Sequence, residues 1–208
     1  MDLGGKPLID LGPIEIDALR AKLLLQPASF WAMDRENRVQ AAGDRPGNAV
    51  FYFNDVPACA NRNPIYEAQI GKLSVLRYPD RALFAEINEL IETAIKPILP
   101  DCGVMRVHLA ELPPGQVIKP HFDGNILAYT HRLHVPLVTH AGVKFIIDGK
   151  SFFLEVGRLY DLNNVLVHSV VNDSDVMRIH LLIDMLPRSV AKINYYDTEA
   201  AMKSALAA

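Results

Sequence analysis

The stretch "VLVHSVVNDSDVMRIHLLID" (165–184) consists of two apolar runs joined by a polar segment. Runs rich in Val, Ile and Leu on both sides of a turn-forming segment are typical of neighbouring β-strands. The same pattern occurs earlier in "MRVHLAEL" (105–112), "RLHVPLV" (132–138), "VKFII" (143–147) and "KSFFL" (150–154). These runs predict a mostly β fold with flanking helices, and their spacing favours a double-stranded β-helix, the jelly-roll or cupin-like barrel, over residues 105–187.

One pair of runs also predicts its own connection. In "FIIDGKSFF" (145–153), Asp148 and Gly149 separate two apolar segments. Both residue types tolerate the positive φ angles of a type I′ turn. We therefore expect a tight β-hairpin here.

Residues 1–104 mix helical and strand patterns. The predicted elements are a helix over "PIEIDALRAKLLLQ" (13–26), a strand in "NAVFYFND" (48–55), a largely irregular stretch over 57–77, and a helix over "DRALFAEINELIETAIKP" (80–97). The last helix is expected to begin at a capping Asp80 and to end at Pro97. Residues 188–208 predict a short helical tail.

The chain has 208 residues, a size typical of one domain. We expect a single domain, 1–208, in which residues 1–104 support the barrel and supply contacts to the substrate. A net charge of −3 with no polybasic segment argues against a nucleic-acid partner. No stretch of 18 or more apolar residues predicts a membrane span, and neither cysteine lies in a metal-binding or disulfide pattern, so we expect a cytoplasmic protein.

All seven histidines lie between His108 and His180, inside the β-rich region. In "PHFDGN" (120–125), His121 and Asp123 are two positions apart, so in a strand they would point to the same side. An imidazole and a carboxylate on one face are two ligands of the 2-His-1-carboxylate triad of non-haem Fe(II) oxygenases. His168, on a later predicted strand, is the candidate third ligand, although an HxD pair by itself is a weak signal.

Two arginines are expected to point into the barrel. Along its predicted strand, Arg178 lies on the face opposite to Ile179 and on the same face as His180. In the same way, Arg132 lies on the same face of its strand as His134. A buried guanidinium is costly unless it meets an anion, and its planar fork suits a carboxylate. The competing interpretation of Arg178 is an internal salt bridge to Asp161 or Asp184.

Taken in order, "LPPGQVIKPHFDGN" (112–125), "HRLHVPL" (131–137) and "LNNVLVHSVVNDSDVMRIHLLID" (162–184) resemble the aspartyl/asparaginyl β-hydroxylase family of Fe(II)- and 2-oxoglutarate-dependent oxygenases. The resemblance covers about residues 105–187. It implies a set of catalytic and metal ligands, namely His121, Asp123 and His168. It also implies that Arg178 holds the far carboxylate of 2-oxoglutarate, and that Arg132 and His134 contact its metal-chelating end.

The sequence departs from the membrane-anchored peptide hydroxylases of that family at two positions. Those enzymes have glycine where this chain has Asp123, so a complete triad is expected here. They also have a serine near the co-substrate at the position of Ala110, which leaves His180 or Tyr160 as candidates to replace that contact.

The resemblance implies a dioxygenase that uses Fe(II), 2-oxoglutarate and dioxygen. It would hydroxylate an unactivated C–H bond of an amino acid, an amino-acid side chain in a peptide, or a similar small molecule, while 2-oxoglutarate is decarboxylated to succinate. Two alternatives stay open: a metal-dependent cupin enzyme that does not use 2-oxoglutarate, and a non-catalytic barrel that binds a ligand. Arg178 discriminates against the cupin, which has no need of an inward arginine ten residues past the last ligand. A non-catalytic barrel would not predict that the three ligands and Arg178 converge. We expect His108, His131 and His140 to be ordinary strand or loop residues.

Overall fold

The computed structural model describes residues 1–27, 30, 48–52 and 81–191. The predicted cap at Asp80, the irregular stretch over 57–77 and the tail beyond residue 191 lie outside the described residues. The strands are β1 (Leu8–Pro13), β2 (Asn48–Tyr52), β3 (Cys102–Leu112), β4 (Val117–His121), β5 (His131–Val138), β6 (Val143–Ile147), β7 (Lys150–Phe152), β8 (Arg158–Leu162), β9 (His168–Asn172) and β10 (Arg178–Pro187). The helical segments are α1 (Asp17–Leu24), α2 (Arg81–Leu90) with a π-helical turn at Ile91–Ile95, a 3₁₀ turn at Asn125–Tyr129, and α3 (Arg188–Ala191).

These strands form two antiparallel sheets. The larger has the order β1-β8-β5-β10-β3-β2, and the smaller has the order β4-β9-β6-β7. Apolar side chains from both sheets pack together between them, among them Leu112, Phe145 and Leu162. The mostly β, jelly-roll class of fold is therefore confirmed. Within the described residues no ladder joins the two sheets, so the architecture is a two-sheet sandwich and the barrel is not closed.

Strand β10 lies at the centre of the larger sheet, between β5 and β3. Its side chains alternate as the sequence predicts: Ile179, Leu181 and Ile183 join an apolar core that also includes residues of α1 and α2. Arg178 and His180 occupy the opposite face, towards the smaller sheet, because successive side chains of a strand point to opposite sides. One strand thus supplies both the core under the helices and the polar groups between the sheets.

The predicted hairpin is confirmed in detail. Strands β6 and β7 pair with Ile147 opposite Lys150, and the two residues between them have positive φ, 50° at Asp148 and 73° at Gly149. Both angles fall in the left-handed region that a type I′ turn requires. The turn fixes the register of β6 and so the inward position of Phe145.

Two strands of the larger sheet, β1 and β8, are not predicted from the sequence. Strand β1 ends at Pro13, where the sequence pattern predicts the start of a helix, and α1 begins only at Asp17. Strand β1 pairs with β8 across a bulge between Asp10 and Gly12. This pairing joins segments about 150 residues apart in the chain, so short-range periodicity cannot report it.

No helix among the residues described here combines the length and the apolar character needed to cross a membrane.

Candidate active site

Two histidines face each other across neighbouring strands of the smaller sheet. His121 ends β4 and His168 begins β9, and the two are directly paired across the ladder. Their ring centroids are 4.3 Å apart. The Nδ1–H of His121 donates to the carbonyl of Lys119 at 2.8 Å, and that of His168 donates to the carbonyl of Leu166 at 2.9 Å. These bonds leave the Nε2 lone pair of each ring available to a metal, the usual device for orienting metal-binding histidines.

Asp123 completes the cluster from outside the strand. Strand β4 ends at His121, so the expectation that both residues belong to one strand is wrong. The backbone N–H of Asp123 instead donates to the carbonyl of Asn164 at 2.8 Å, and this bond holds the loop against the segment before β9. Its Oδ2 lies 4.0 Å from Nε2 of His168.

His121, Asp123 and His168 each offer one ligand atom, and these atoms all lie within 4.8 Å of one another. Atoms that share one ion at about 2.1 Å are at most about 4.2 Å apart, so small side-chain adjustments bring all three onto one metal. Asp123 and His168 are buried, whereas His121 is exposed, so the cluster opens to solvent on one side. Two imidazoles and one carboxylate are the donor set that suits a divalent transition metal with open coordination positions.

A chain of buried ion pairs links this cluster to β10. Nη1 of Arg132 donates to Oδ2 of Asp123 at 2.6 Å. From the same guanidinium, Nε and Nη2 donate to the two carboxylate oxygens of Asp184 at 2.9 and 3.3 Å. All three residues are buried. Arg132 therefore fixes the carboxylate of Asp123, and Asp184 fixes Arg132.

Arg178 lies deeper between the sheets and is only 1% exposed. Neither Asp184, which holds Arg132, nor Asp161, which holds His131, pairs with it. Its Nε has no hydrogen-bond partner among the described residues, and its Cζ lies 5.2 Å from the centroid of the Phe145 ring. Burial lowers the pKa of the guanidinium to about 9, so it stays charged at neutral pH. A buried charge of this kind is stable only when an anion compensates it.

Two further buried imidazoles lie close to Arg178, whose charge acts on both of them. His134 and His180 are buried, their ring centroids are 5.9 Å apart, and both nitrogens of each have no hydrogen-bond partner among the described residues. Burial, reinforced by the positive charge of Arg178, holds the pKa of both well below the usual histidine range. Both rings are therefore neutral at pH 7, and each presents one donor and one acceptor nitrogen.

These polar groups lie in one region of the interior. The charges of Arg178 and His168 both act on His134, so His134 lies within electrostatic reach of Arg178 and of the metal cluster, and His180 neighbours His134. The region offers three ligands for a metal and one buried cation for an anion. Asp184, which the sequence suggests only as a possible partner of Arg178, pairs with Arg132 instead. Its position six residues after Arg178, on the same face of β10, is the signal in the sequence for a role in this region.

His131 and His140 have other surroundings, and Tyr160 lies directly opposite His134 across the β5–β8 ladder. Nδ1 of His131 is 2.6 Å from Oδ2 of Asp161, and His140 is exposed. The side chain of His108 is not among those described. The hydroxyl of Tyr160 accepts a hydrogen bond from the backbone N–H of Glu155 at 3.0 Å, so this group already has a partner.

The sequence matches the family model described as aspartyl/asparaginyl β-hydroxylase over residues 74–187, which is more than half of the chain. A curated relative, L-proline cis-4-hydroxylase of Rhizobium meliloti (strain 1021), is 33% identical over 100 residues, which are 47% of this chain and 34% of that protein. The chain therefore spans about a third of the length of this relative.

Two solved structures show weaker similarity. A Pseudomonas putida prolyl-4-hydroxylase is 16% identical with a TM-score of 0.47, covering 89% of this chain and 95% of that one. A non-haem monooxygenase, ThoJ in complex with nickel, is 14% identical with a TM-score of 0.47, covering 87% of this chain and 74% of that one. At these scores neither supports a conclusion about fold or activity.

We predict that the His131–Asp161 pair makes stability depend on pH. Although burial opposes protonation, the hydrogen bond and charge of Asp161 raise the pKa of His131 to about 9 in the folded protein. Because the folded pKa exceeds the ordinary value, the stabilisation is complete below about pH 6.5 and is lost as pH rises through 9. The free energy of unfolding, measured with urea, should fall by about 1–3 kcal/mol between these pH values. In Asp161→Asn this fall should be smaller than in the unmodified protein; an equal fall would contradict the assignment.

We predict that Asp184 tunes the metal site without contacting the metal. Asp184→Asn removes the carboxylate that fixes Arg132, so the Arg132–Asp123 pair becomes free to shift. Affinity for Mn(II) or Co(II), measured by calorimetric titration, should fall by about 10- to 100-fold, the usual effect of losing an outer-shell partner. The matched control is Asp173→Asn, which breaks the exposed Lys144–Asp173 pair. Equal metal affinities in both variants would show that the ion-pair chain does not position Asp123.

Proposed function

This chain belongs to the aspartyl/asparaginyl β-hydroxylase family, and from this premise we propose that it is an Fe(II)- and 2-oxoglutarate-dependent dioxygenase. The reaction would hydroxylate an unactivated C–H bond of an amino acid or of an amino-acid side chain in a peptide. One observation carries the proposal: a buried, charged Arg178 has no anionic partner among the described residues, and His134 lies within electrostatic reach both of this charge and of His168 in the His-Asp-His cluster.

His121, Asp123 and His168 would hold the Fe(II), and their donor set fits it, since neutral imidazole nitrogens and one carboxylate are its usual ligands in such sites. When bound, the metal supplies the activation of dioxygen that is coupled to decarboxylation of 2-oxoglutarate to succinate. The hydrogen bonds of Nδ1 to the carbonyls of Lys119 and Leu166 keep both imidazoles oriented for this role.

The protein's own groups would bind and orient the co-substrate. Arg178 would hold the far carboxylate through its planar fork, which suits two parallel hydrogen bonds. His134, which lies within electrostatic reach of both Arg178 and His168, would contact the chelating end. Arg132, which is ion-paired with Asp123 and Asp184, would add positive charge at that end.

Water exclusion is the other task of the protein in this proposal. Between the two sheets lie apolar side chains such as Phe145, Ile147 and Leu162, all at most 1% exposed. Such walls are unreactive, strengthen electrostatic contacts to a bound anion and keep solvent from the reacting centre. The exposed edge at His121 is then the side from which the substrate would approach.

For the substrate we propose a free amino acid, with L-proline as the first to be tried. The support is the curated relative, whose name specifies hydroxylation of L-proline at the cis-4 position. The cupin and binding-protein alternatives leave the buried charge of Arg178 unexplained, and we set them aside.

The proposed reaction is tested by measuring succinate in anaerobically purified, Fe(II)-loaded protein supplied with 2-oxoglutarate, dioxygen and a panel of amino acids and short peptides. We expect at least one panel member to raise succinate formation, with hydroxylated product appearing in equal amount. Asp123→Ala should abolish most of this turnover, because it removes the anionic ligand. Stimulated turnover in Asp123→Ala equal to that of the unmodified protein would contradict the triad, and absence of any succinate would contradict the reaction.

We predict that Arg178 sets the affinity for 2-oxoglutarate without affecting the metal. Removing one partner of a buried charge pair costs about 2–5 kcal/mol, so Arg178→Met should weaken 2-oxoglutarate binding by roughly 30-fold or more. Lysine should restore only part of the affinity, since it lacks the fork. Calorimetric titration of 2-oxoglutarate into the metal-loaded unmodified protein and the two variants measures these affinities. The control is the affinity of each protein for the metal, which should stay unchanged. Equal 2-oxoglutarate affinities of the unmodified protein, the methionine variant and the lysine variant would favour the cupin alternative.

A further inference from the structure

The imidazole of His180 is a buried polar group that the proposed roles above do not use. It is fully buried, and neither Nδ1 nor Nε2 has a hydrogen-bond partner among the described residues. A buried polar group without a partner destabilises a fold, whereas an apolar side chain of similar shape would not. The position therefore favours a hydrogen bond to something other than the described protein groups.

The cross-strand neighbours of His180 offer it nothing polar. On one side its partner is Ala110 of β3, and on the other it is Pro136 of β5. The methyl group of Ala110 contributes no donor and leaves more room beside the imidazole than a larger side chain would. Phe145 lies against the other surface of the ring, parallel within 11° at 5.4 Å between centroids. Apart from His134, whose ring centroid is 5.9 Å away, these neighbours of the imidazole are apolar, and neither of its nitrogens has a partner among the described residues.

A charged group that acts on His180 is Arg178, which precedes it by two residues on the same face of β10. Arg178 and His134 are the two groups whose charges act on His180, and together with burial they hold its pKa well below the usual range. A neutral imidazole carries one N–H, so His180 presents a single donor beside the donors of the guanidinium. Two adjacent donors of this kind suit the two oxygens of one carboxylate.

We propose that His180 is a second anchor for the far carboxylate of 2-oxoglutarate, to which its imidazole N–H donates while Arg178 forms the ion pair. This inference rests on the proposed function and goes beyond it in assigning a specificity-determining residue. His180 contacts a group that a monocarboxylic 2-oxo acid lacks. It therefore selects the dicarboxylate and contributes nothing to binding at the metal.

Three substitutions separate this role from simple packing. His180→Phe keeps the ring and its contact with Phe145 but removes both nitrogens. His180→Gln and His180→Asn return an amide N–H near the positions of Nε2 and Nδ1 respectively, so the variant that restores binding identifies the donor nitrogen. The matched control is His140→Phe, the same exchange at an exposed loop residue.

The probes are 2-oxoglutarate and 2-oxopentanoate, which has the same carbon chain without the far carboxylate, each titrated calorimetrically into Mn(II)-loaded protein. A hydrogen bond to a charged group is worth roughly 10- to 100-fold in affinity. His180→Phe should weaken 2-oxoglutarate binding by that factor and leave 2-oxopentanoate binding unchanged. His140→Phe should bind both probes as the unmodified protein does. One of the two amide variants should recover most of the loss.

Stability gives a second readout. Without ligand, His180→Phe should melt at the same temperature as the unmodified protein or higher, because it removes a buried polar group that lacks a protein partner. A lower melting temperature together with unchanged 2-oxoglutarate affinity would show that His180 is a packing residue and overturn the inference. If the unmodified protein binds 2-oxoglutarate and depends on Arg178 while His180→Phe binds it equally well, only the role of His180 fails. If the unmodified protein does not bind 2-oxoglutarate, the proposed function fails and this role fails with it.

Discussion

The buried positive charge of Arg178 is the constraint around which the interior of this protein is organised. A guanidinium at 1% exposure loses its hydration, and no carboxylate among the described residues compensates it. The fold keeps such a group in place because Arg178 begins a central strand whose other face contributes to the apolar core beneath the helices. Packing of the apolar core on one face of β10 thus offsets the free-energy cost of burying the charge on the other face, where the charge is available to bind an anion.

The same strand connects the charge to the metal cluster. Asp184, six residues after Arg178, holds Arg132, and Arg132 holds the carboxylate of Asp123. The carboxylate of the cluster is therefore tied by buried ion pairs to the strand that carries Arg178. A co-substrate that must reach both a metal and a buried cation requires the two to be held at a fixed distance.

Much of this arrangement could be predicted from the sequence, because it depends on local rules. Alternation along β10 places Arg178 and His180 inwards, and Asp148–Gly149 specifies the hairpin that positions Phe145. The remainder depends on long-range pairing. Strands β1 and β8 pair across most of the chain, and Asp123 is held by a backbone bond to Asn164 and not by a strand. That Asp184 pairs with Arg132 and not with Arg178 is likewise decided only when the strands assemble.

The central claim is that one elongated anion spans the metal cluster and Arg178. The most direct measurement is a crystal structure of the Mn(II)-loaded protein grown without oxygen in the presence of N-oxalylglycine, an unreactive analogue of 2-oxoglutarate. We predict that the metal is bound by His121, Asp123 and His168, that the oxalyl end of the analogue chelates the metal, and that its far carboxylate lies on the guanidinium of Arg178. A metal bound elsewhere, or an analogue whose far carboxylate points to solvent away from Arg178, would contradict the account.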